Sequence, residues 1–518
     1  MRHWPNTFGS TSRRTARRPG LGALTLHVPV SEELSRPHCC PARIITLPLA
    51  LSPGTALRPS SVTAKIGEGG MGEVYTRFGE ETNMFRKTSG RLAVTLVALA
   101  LALVSAPVWA QTLPTAKPEA VGMSSVRLER LTATLKDYVE SDRIAGLVAI
   151  VARRGQIAYF ESFGMRDREA GAPMGNDSIF RIASQTKALT SVCVMILQER
   201  GQLLITDPIA KYLPEFRSRT VAVDDGRGGY DVVSARRPIT IRDHLRHTSG
   251  ISYGNGLGID LWKEAGVLGW YFANRDEPIR DTVARMGPLP AVAHPGESWV
   301  YGYNADILGA LVEVVSGRPF DVFLQEELLG PLGMSDTHFY LPEEKRDRLT
   351  TVYSSIPGEG IARAPDPGYM DDGGLFGTIG QGQYVDGPRK SFSGGAGLLS
   401  TAGDYATFLQ MILNGGELNG VRILSPNTVK LMTVNHLGDV PFRPGQGFGL
   451  GFSVVTDLGA RGVPGSVGEF GWGGAYHSTY WVDPEEELVA VYLTQLIPAI
   501  DIDDQDKFRA LLYQAIVE

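Results

Sequence analysis

The pattern of apolar and polar residues predicts strands at both ends of the body of this chain. The run AGLVAIVARRGQIAYFESFG (145–164) is rich in β-branched and aromatic residues on both sides of a central RRG, which predicts a β-hairpin. Near the other end, GFGLGFSVV (447–455) and AYHSTYWVDPEEELVAVYLTQ (475–495) have similar composition, the latter with an Asp-Pro turn. We therefore expect the terminal segments to build one antiparallel sheet.

Helical periodicity dominates the chain between these strands. Apolar residues recur every three or four positions in several candidate helices: 124–141, Thr186–Arg200, Ala305–Val315, Asp404–Leu413 and Lys507–Val517. Strands at both ends with helices between them indicate an α+β fold, in which a mainly helical lobe packs against the sheet. No internal repeat or linker divides the body, so we expect one unit with two lobes.

The first 110 residues differ from the rest in composition. They carry 13 Lys and Arg against 6 Asp and Glu, and because the whole chain has a net charge of −6, the remainder is acidic. This acidic body does not favour nucleic acid or an anionic membrane surface as a partner. A basic start, an apolar run and small residues before Gln111 predict a secretory signal peptide at 84–110.

The signal peptide predicts a mature domain of 111–518 that is periplasmic or secreted by a bacterium, without stable membrane insertion after cleavage. An uncleaved anchor is the alternative. Residues 1–83 are rich in Arg, Pro, Ser and Gly, and IGEGGMGEVY resembles the glycine-rich loop of protein kinases. No kinase catalytic loop or metal site follows in context. We therefore interpret 1–83 as a non-native or disordered leader without kinase function, with translation starting at Met84.

A serine and a lysine stand three residues apart where an apolar run begins, in RIASQTKALTS (181–191). Residues at this spacing share one face of a helix, so Lys187 could serve as a base toward the Ser184 hydroxyl. The amides of a helix N-terminus would favour the developing negative charge. Alternatively, Ser184 caps the helix and Lys187 is a solvated charge. The spacing alone does not decide between these interpretations.

The surrounding sequence resembles the penicillin-recognising serine hydrolases, which include class C β-lactamases, D,D-peptidases and family VIII carboxylesterases. FRIASQTKALTSVCVMILQERGQLL resembles the nucleophile segment, and ITIRDHLRHTSGIS, HPGESWVYGYNADILGALVEVVSGRPF and GGAGLLSTAGDYATFLQMILNGG follow in family order. The resemblance runs from about residue 115 to the C-terminus. It implies a β-lactamase/D,D-peptidase-like fold, Ser184 as nucleophile with Lys187 beside it, and no metal or other cofactor.

The tyrosine motif of the family is altered in VYGYNADILG. Class C enzymes carry Y-x-N, and neither Tyr301 nor Tyr303 has an asparagine two residues later. The esterase branch has a pattern similar to Y-S-x-x-x-D-[VI]-L-G, which fits Tyr301 by its distance to Asp306 and Gly309. The resemblance thus implies that Tyr301 shares proton transfer with Lys187, while Tyr303 is expected to be a half-buried aromatic with a satisfied hydroxyl.

The K-T-G motif of β-lactamases corresponds to W-G-G here, and family VIII esterases are similar in having W-x-G. A lysine at this place helps to bind a substrate carboxylate, whereas a tryptophan presents an apolar wall. The resemblance implies that the backbone amides of Ser184 and Ala475 form the oxyanion hole. The predicted substrate-binding residues lie on and just after this strand: Trp472, Gly473, Gly474 and His477.

The resemblance predicts a serine carboxylesterase that hydrolyses short-chain esters through an acyl-enzyme on Ser184. A β-lactamase, a D-amino-acid peptidase or an acyltransferase of the same fold is the first alternative, and a non-catalytic penicillin-binding-like sensor is the second. His244 and His247 have the spacing of a metal pair, but no third ligand is evident, so we expect them to be structural. The expected partner is a small ester, and the sequence does not indicate the oligomeric state.

Overall fold

The computed structural model describes residues 113–364 and 382–518. The predicted leader (1–83), the predicted signal peptide (84–110) and the first two residues of the predicted mature domain lie outside the described residues. The described part has long strands near both ends and mostly short strands between them.

The strands are numbered in chain order. They are β1 (Gly146–Arg153), β2 (Gln156–Asp167), β3 (Ala172–Pro173), β4 (Phe180–Arg181), β5 (Thr220–Asp224), β6 (Tyr230–Ser234), β7 (Tyr353–Ile356), β8 (Gly360–Arg363), β9 (Leu399–Ser400), β10 (Glu417–Leu418), β11 (Val421–Arg422), β12 (Gln446–Phe448), β13 (Ser453–Val455), β14 (Phe470–Gly474), β15 (Ser478–Asp483) and β16 (Leu488–Thr494). The main sheet has eight antiparallel strands in the order β12-β13-β14-β15-β16-β1-β2-β3. The pairing of β1 with β16 joins the two ends of the described part, as the sequence predicts.

Strand β1 is buried on both faces, which explains why its sequence is a continuous apolar run. Val148 and Ile150 face a large core shared with the helical lobe. Leu147 and Val151 face a smaller core on the outer side of the sheet. Because cores pack against both faces of the sheet, its strands form a rigid support for the functional site.

Helices cover both faces of the main sheet. Ser125–Glu140 and Asp504–Tyr513 pack together over the outer core. Thr186–Glu199, Asn304–Ser316 and Ala402–Leu413 belong to the large core. The remaining α-helices are Ile241–Leu245, Ile259–Glu264, Ile279–Met286, Phe320–Leu324, Gly330–Leu332, Gln383–Asp386, Pro426–Met432 and Leu458–Arg461, and a π-helical turn spans Gln325–Leu329.

The predicted α+β architecture is confirmed. The predicted hairpin is β1 and β2, joined at Arg154 and Gly155, whose φ angles of 51° and 73° suit a two-residue turn of the type that follows strand twist. The predicted C-terminal helix begins earlier than expected, at Asp504, and ends at Tyr513. In the described ranges, no helix combines the length and apolar character needed to cross a bilayer.

Candidate active site

Ser184 lies in a 3-10 turn, Ala183–Gln185, that leads directly into the helix Thr186–Glu199. From Ser178 to Leu197, every residue except Ser184 is buried. Ala183 has a φ of 41°, a left-handed conformation that costs roughly 1–2 kcal/mol for a residue with a Cβ. The backbone is therefore bent at the residue before Ser184. Of residues 178–197, Ser184 is the one that lines a groove of about 970 Å³.

Lys187 lies one turn further along and faces the serine. Its side chain is buried, and its Nζ is 3.1 Å from Ser184 Oγ, 2.9 Å from the Tyr253 hydroxyl and 2.7 Å from the Gly395 carbonyl oxygen. No side-chain hydrogen bond caps either the 3-10 turn or the helix. The arrangement therefore does not match the alternative of a capping serine and a solvated lysine.

Two tyrosines share the space around the lysine. The Tyr301 ring centre is 4.6 Å from Lys187 Nζ, and the Tyr301 hydroxyl accepts a hydrogen bond from Trp472 Nε1 at 3.1 Å. Tyr253 supplies the hydroxyl that contacts Nζ directly. Burial raises the pKa of Tyr253 well above its usual range, with Tyr301 nearby adding to the effect, so Tyr253 keeps its proton at neutral pH.

Sequence reasoning missed Tyr253. The available signal was its place three residues after the HTSG stretch that resembles a family landmark. Tyr303 also differs from expectation, because it is fully buried rather than half-buried. Its hydroxyl donates to the Tyr253 carbonyl oxygen at 3.2 Å, and its ring stacks on Trp262. Tyr303 thus supports the backbone of Tyr253 from the core and does not face the groove.

A buried carboxylate holds the lysine's carbonyl partner in place. Asp306 Oδ1 accepts hydrogen bonds from the Gly395 amide at 3.1 Å and from Ser393 Oγ at 2.6 Å. Gly395 in turn offers its carbonyl to Lys187. Burial raises the pKa of Asp306. This gives a physical reason for an aspartate five residues after Tyr301: it orients the loop that positions the lysine.

The two histidines belong to a buried polar cluster. His244 Nδ1 lies 3.0 Å from Asn304 Oδ1, and Asn304 Nδ2 lies 3.0 Å from His247 Nδ1. Burial holds the pKa of His247 well below its usual range, and Lys187 nearby lowers it further. The neutral His247 ring packs 5.0 Å from the Tyr301 ring. These contacts are those of packed side chains within the core. In the described ranges no group of three or more potential ligands is placed to hold a metal.

Strand β14 carries Trp472, Gly473 and Gly474 beside the serine. Strand β14 lies inside the sheet order, between β13 and β15. Its neighbour β13 pairs only with Phe470 and Gly471. The part of β14 from Trp472 onward therefore has one side without a strand partner, and that side borders the groove.

Gly474 is required by a close approach of two backbones. A Cβ at this position would lie 2.5 Å from the Ile182 carbonyl oxygen, two residues before Ser184. A glycine on a strand permits close approach by a substrate. The structure shows in addition that Gly474 lets the strand pack against the segment that carries the serine. Within the described chain, neither the Ser184 amide nor the Ala475 amide donates to a protein acceptor, which leaves both for the predicted oxyanion hole.

The remaining predicted residues form the walls of the groove. Trp472 belongs to an aromatic cluster with Trp299, Tyr301, Phe442 and Phe448, with ring centres 4.7–6.5 Å apart for most pairs. His477 also lines the groove, and its Nε2 lies 2.7 Å from the buried Asp504 carboxylate. Seven of the predicted site residues line one groove: Ser184, Tyr301, Trp472, Gly473, Gly474, Ala475 and His477. The eighth, Lys187, is buried and contacts Ser184.

Ser184 is hydrogen-bonded to a buried lysine and lies beside a strand segment with one unpaired edge, on an α+β fold with an antiparallel sheet. These features define a serine hydrolase of the β-lactamase type. The Beta-lactamase family profile matches residues 131–515. The chain belongs to this family.

Known relatives agree with this assignment. The chain is 33% identical over 392 residues to Esterase EstB of Burkholderia gladioli, which covers 73% of this chain and 93% of that protein. It is 32% identical over 406 residues to Protein Rv1367c of Mycobacterium tuberculosis (strain ATCC 25618 / H37Rv), covering 73% and 92% of the two chains. The solved structure of "EstCE1, a hydrolase with promiscuous acyltransferase activity" superposes with a TM-score of 0.64 at 26% identity and covers 75% of this chain and 98% of that one.

These findings confirm the predicted family resemblance and the β-lactamase/D,D-peptidase-like fold. They also support an enzyme that hydrolyses esters, and therefore do not favour the non-catalytic sensor. The finer predictions, which concern the substrate, the covalent intermediate and the roles of single residues, are treated next as proposals.

Proposed function

We propose that the chain is a family VIII carboxylesterase that hydrolyses short-chain esters through an acyl-enzyme on Ser184. The observation that carries this proposal is the 3.1 Å contact between Ser184 Oγ and Lys187 Nζ, in a stretch where Ser184 alone is not buried. A nucleophile needs a base within hydrogen-bonding reach and an open path to its substrate. Ser184 has both.

In the acylation step, Ser184 Oγ attacks the ester carbonyl carbon. The amine form of Lys187 takes the serine proton, and the amides of Ser184 and Ala475 hold the carbonyl oxygen as it becomes negative. The carbon–oxygen bond to the alcohol then breaks. The alcohol oxygen receives the Tyr301 hydroxyl proton, and Lys187 passes to Tyr301 the proton that it took from Ser184. Because Trp472 Nε1 donates to that hydroxyl oxygen, the hydroxyl's own hydrogen is available for this bond.

In the deacylation step, water attacks the acyl carbonyl and gives up a proton to the same Lys187 and Tyr301 pair. Ser184 regains its hydrogen as the carboxylic acid leaves. Tyr253 remains protonated throughout and helps to hold Lys187 Nζ next to the serine. The Asp306 carboxylate and the Gly395 carbonyl fix the lysine from its other side.

Acyl transfer to an alcohol other than water is the second candidate function. Ser184 opens into a wide groove in which a second alcohol has room to bind, and a structural neighbour is described as having promiscuous acyltransferase activity. A β-lactamase or D-amino-acid peptidase is less favoured, because Trp472 stands where those enzymes carry a lysine. A small-molecule ester is the proposed partner.

The first experiment compares initial rates on 4-nitrophenyl butyrate and on nitrocefin for the full chain and for Ser184→Ala. We expect strong ester cleavage that depends on Ser184, with little nitrocefin turnover. Dominant nitrocefin turnover would make the chain a β-lactamase. Labelling by a fluorophosphonate probe, lost in Ser184→Ala, tests the covalent intermediate, and an unlabelled wild-type protein would contradict the proposal.

We also propose that the enzyme is exported, on the basis of the signal-peptide pattern at 84–110. Cell fractionation and N-terminal sequencing of the protein expressed from its own gene test this. The expected mature N-terminus lies near Gln111. An N-terminus within residues 1–83 would contradict both the signal peptide and the proposed start at Met84.

A further inference from the structure

Arg443 is a groove cation that has no place in the mechanism above. Arg443 lies in the loop before β12 and lines the same groove as Ser184 and Tyr301. Its guanidinium carbon is 4.9 Å from the Trp472 ring centre and 5.3 Å from the Phe442 ring centre. Contact with two aromatic rings restricts a side chain that would otherwise be mobile, so its hydrogen-bond donors are presented in a defined direction.

The ionic partners of the other groove cations make Arg443 distinctive. Arg461 and Arg509 also line the groove, but both donate to the buried Glu469 carboxylate at 2.8 Å. In residues 113–364 and 382–518, Arg443 forms no ion pair, and its side chain donates no hydrogen bond. Its five N–H donors therefore remain for water or for a ligand.

The position of Arg443 relative to the serine suits a substrate group. Trp472 is bonded to Tyr301, and the Tyr301 ring faces Lys187. The Arg443 guanidinium stacks on the Trp472 ring. Trp472 and Tyr301 therefore lie between Arg443 and the Ser184–Lys187 pair. Arg443 is a positive group in the groove, although the whole chain has a net charge of −6. An arginine without a carboxylate partner attracts anions to the groove.

We propose that Arg443 is an anion subsite, and that the preferred substrates are esters that also bear a carboxylate. A guanidinium can bind a carboxylate through two parallel hydrogen bonds. Arg443, which stacks on Trp472 and has no carboxylate partner among the described residues, can bind a substrate carboxylate in this way. The aromatic wall contacts the apolar part of the substrate, and Arg443 binds its charged end. This inference rests on the proposed esterase function and names its substrate class.

The test compares the full chain on 4-nitrophenyl butyrate with its activity on the mono-4-nitrophenyl esters of succinate, glutarate and adipate. The measured quantity is the ratio of kcat/KM for the charged ester to kcat/KM for the neutral one. We expect Arg443→Gln to lower this ratio about fivefold to tenfold, and Arg443→Lys to restore part of it. Rising salt concentration lowers the ratio of the wild type toward that of Arg443→Gln.

Arg217 provides the matched control. It is an exposed arginine outside the groove, and Arg217→Gln removes the same charge from the protein. We expect the ratio in Arg217→Gln to equal that of the wild type. An unchanged ratio in Arg443→Gln, or an equal fall in both variants, would overturn the inference.

Two further arms locate the carboxylate and separate this inference from the proposed function. Phenyl butanoate compared with 3-butanoyloxybenzoate places the charge on the alcohol, whereas the dicarboxylic esters place it on the acyl group. In either comparison, a ratio of charged-ester to neutral-ester kcat/KM that falls in Arg443→Gln supports the subsite. Binding of monoethyl glutarate to Ser184→Ala, with and without Arg443→Gln, tests the subsite without turnover. Absence of Ser184-dependent cleavage of 4-nitrophenyl butyrate by the wild-type chain would contradict only the esterase proposal.

Discussion

Trp472 donates its indole hydrogen to the hydroxyl oxygen of Tyr301, at 3.1 Å. Two segments that are 171 residues apart in the chain, and that correspond to separate family motifs, are therefore one hydrogen-bonded unit. The bond fixes the phenol oxygen and leaves the phenol hydrogen unused by Trp472, because an indole can only donate. The proton-transfer role assigned to Tyr301 depends on this arrangement.

We expect Tyr301→Phe to lower kcat on 4-nitrophenyl butyrate by about a hundredfold or more, which is the usual range for loss of a general acid or base. The matched control is Tyr303→Phe, which removes a buried hydroxyl that bonds only the Tyr253 carbonyl. That variant should lose about 1 kcal/mol of unfolding free energy but keep most of its kcat. The reverse order of activities would move the assignment to Tyr303.

Tyr253→Phe tests a residue that the sequence did not single out. The variant removes one of three oxygens around Lys187 Nζ while leaving the ring and its packing. We expect a smaller loss of kcat than in Tyr301→Phe, together with a displaced pH profile of kcat/KM, because the surroundings of the lysine change. A large loss of kcat with an unmoved profile would instead identify Tyr253 as a direct proton carrier.

The fold and much of the site could be predicted because the signals are local. The strand composition of 145–164 and the helix after Ser184 follow directly from residue spacing. The family motifs located Tyr301 and Trp472. The contact of Tyr253 with Lys187 could not be predicted in this way, because it joins residues 66 positions apart through a loop that has no periodic pattern.

The same limit applies to Arg443. Its loop carries no family motif quoted for the site, and a lone arginine between Phe442 and Pro444 gives no signal of its own in the sequence. Its importance depends on stacking against Trp472 and on the missing carboxylate partner, and both are properties of the folded chain. The partial pairing of β14 with β13 is also invisible in the sequence, since register is set by the whole sheet.

Trp472→Lys is expected to weaken ester turnover for two physical reasons. The substitution removes the hydrogen bond to Tyr301 and the aromatic contacts with Phe442 and Phe448. It also places a new cation close to Arg443. We expect kcat/KM on 4-nitrophenyl butyrate to fall by about tenfold or more, while Trp472→Phe, which keeps an aromatic wall, falls less. Equal activity of Trp472→Lys and the wild type would remove Trp472 from the proposed site.

Asp306→Asn tests whether the buried carboxylate positions the lysine. Asn keeps an oxygen that can accept from the Gly395 amide, but it removes the negative charge near Lys187. We expect the variant to fold and kcat to fall with little change in KM, because no contact with substrate is lost. A rise in KM with constant kcat would contradict a positioning role.

Gly474→Ala should damage the site through the backbone alone. The added Cβ would lie 2.5 Å from both the Ile182 carbonyl oxygen and Ser478 Oγ, and the carbonyl cannot move without displacing the segment before Ser184. We expect unfolding free energy to fall by about 1–3 kcal/mol, as for other overpacked sites, and kcat to fall because the amides of Ser184 and Ala475 separate. Thermal unfolding and initial rates measure the two effects.

Gly403→Ala is the matched control, because the helix Ala402–Leu413 leaves room for a methyl group there and its nearest contact is Thr401 Oγ1 at 3.9 Å. Alanine favours the helix over glycine by about 0.5–1 kcal/mol, so this variant should be at least as stable as the wild type and fully active. If Gly474→Ala behaved like Gly403→Ala, strand β14 would not be held against the serine segment, and the proposed oxyanion hole would lose its structural basis.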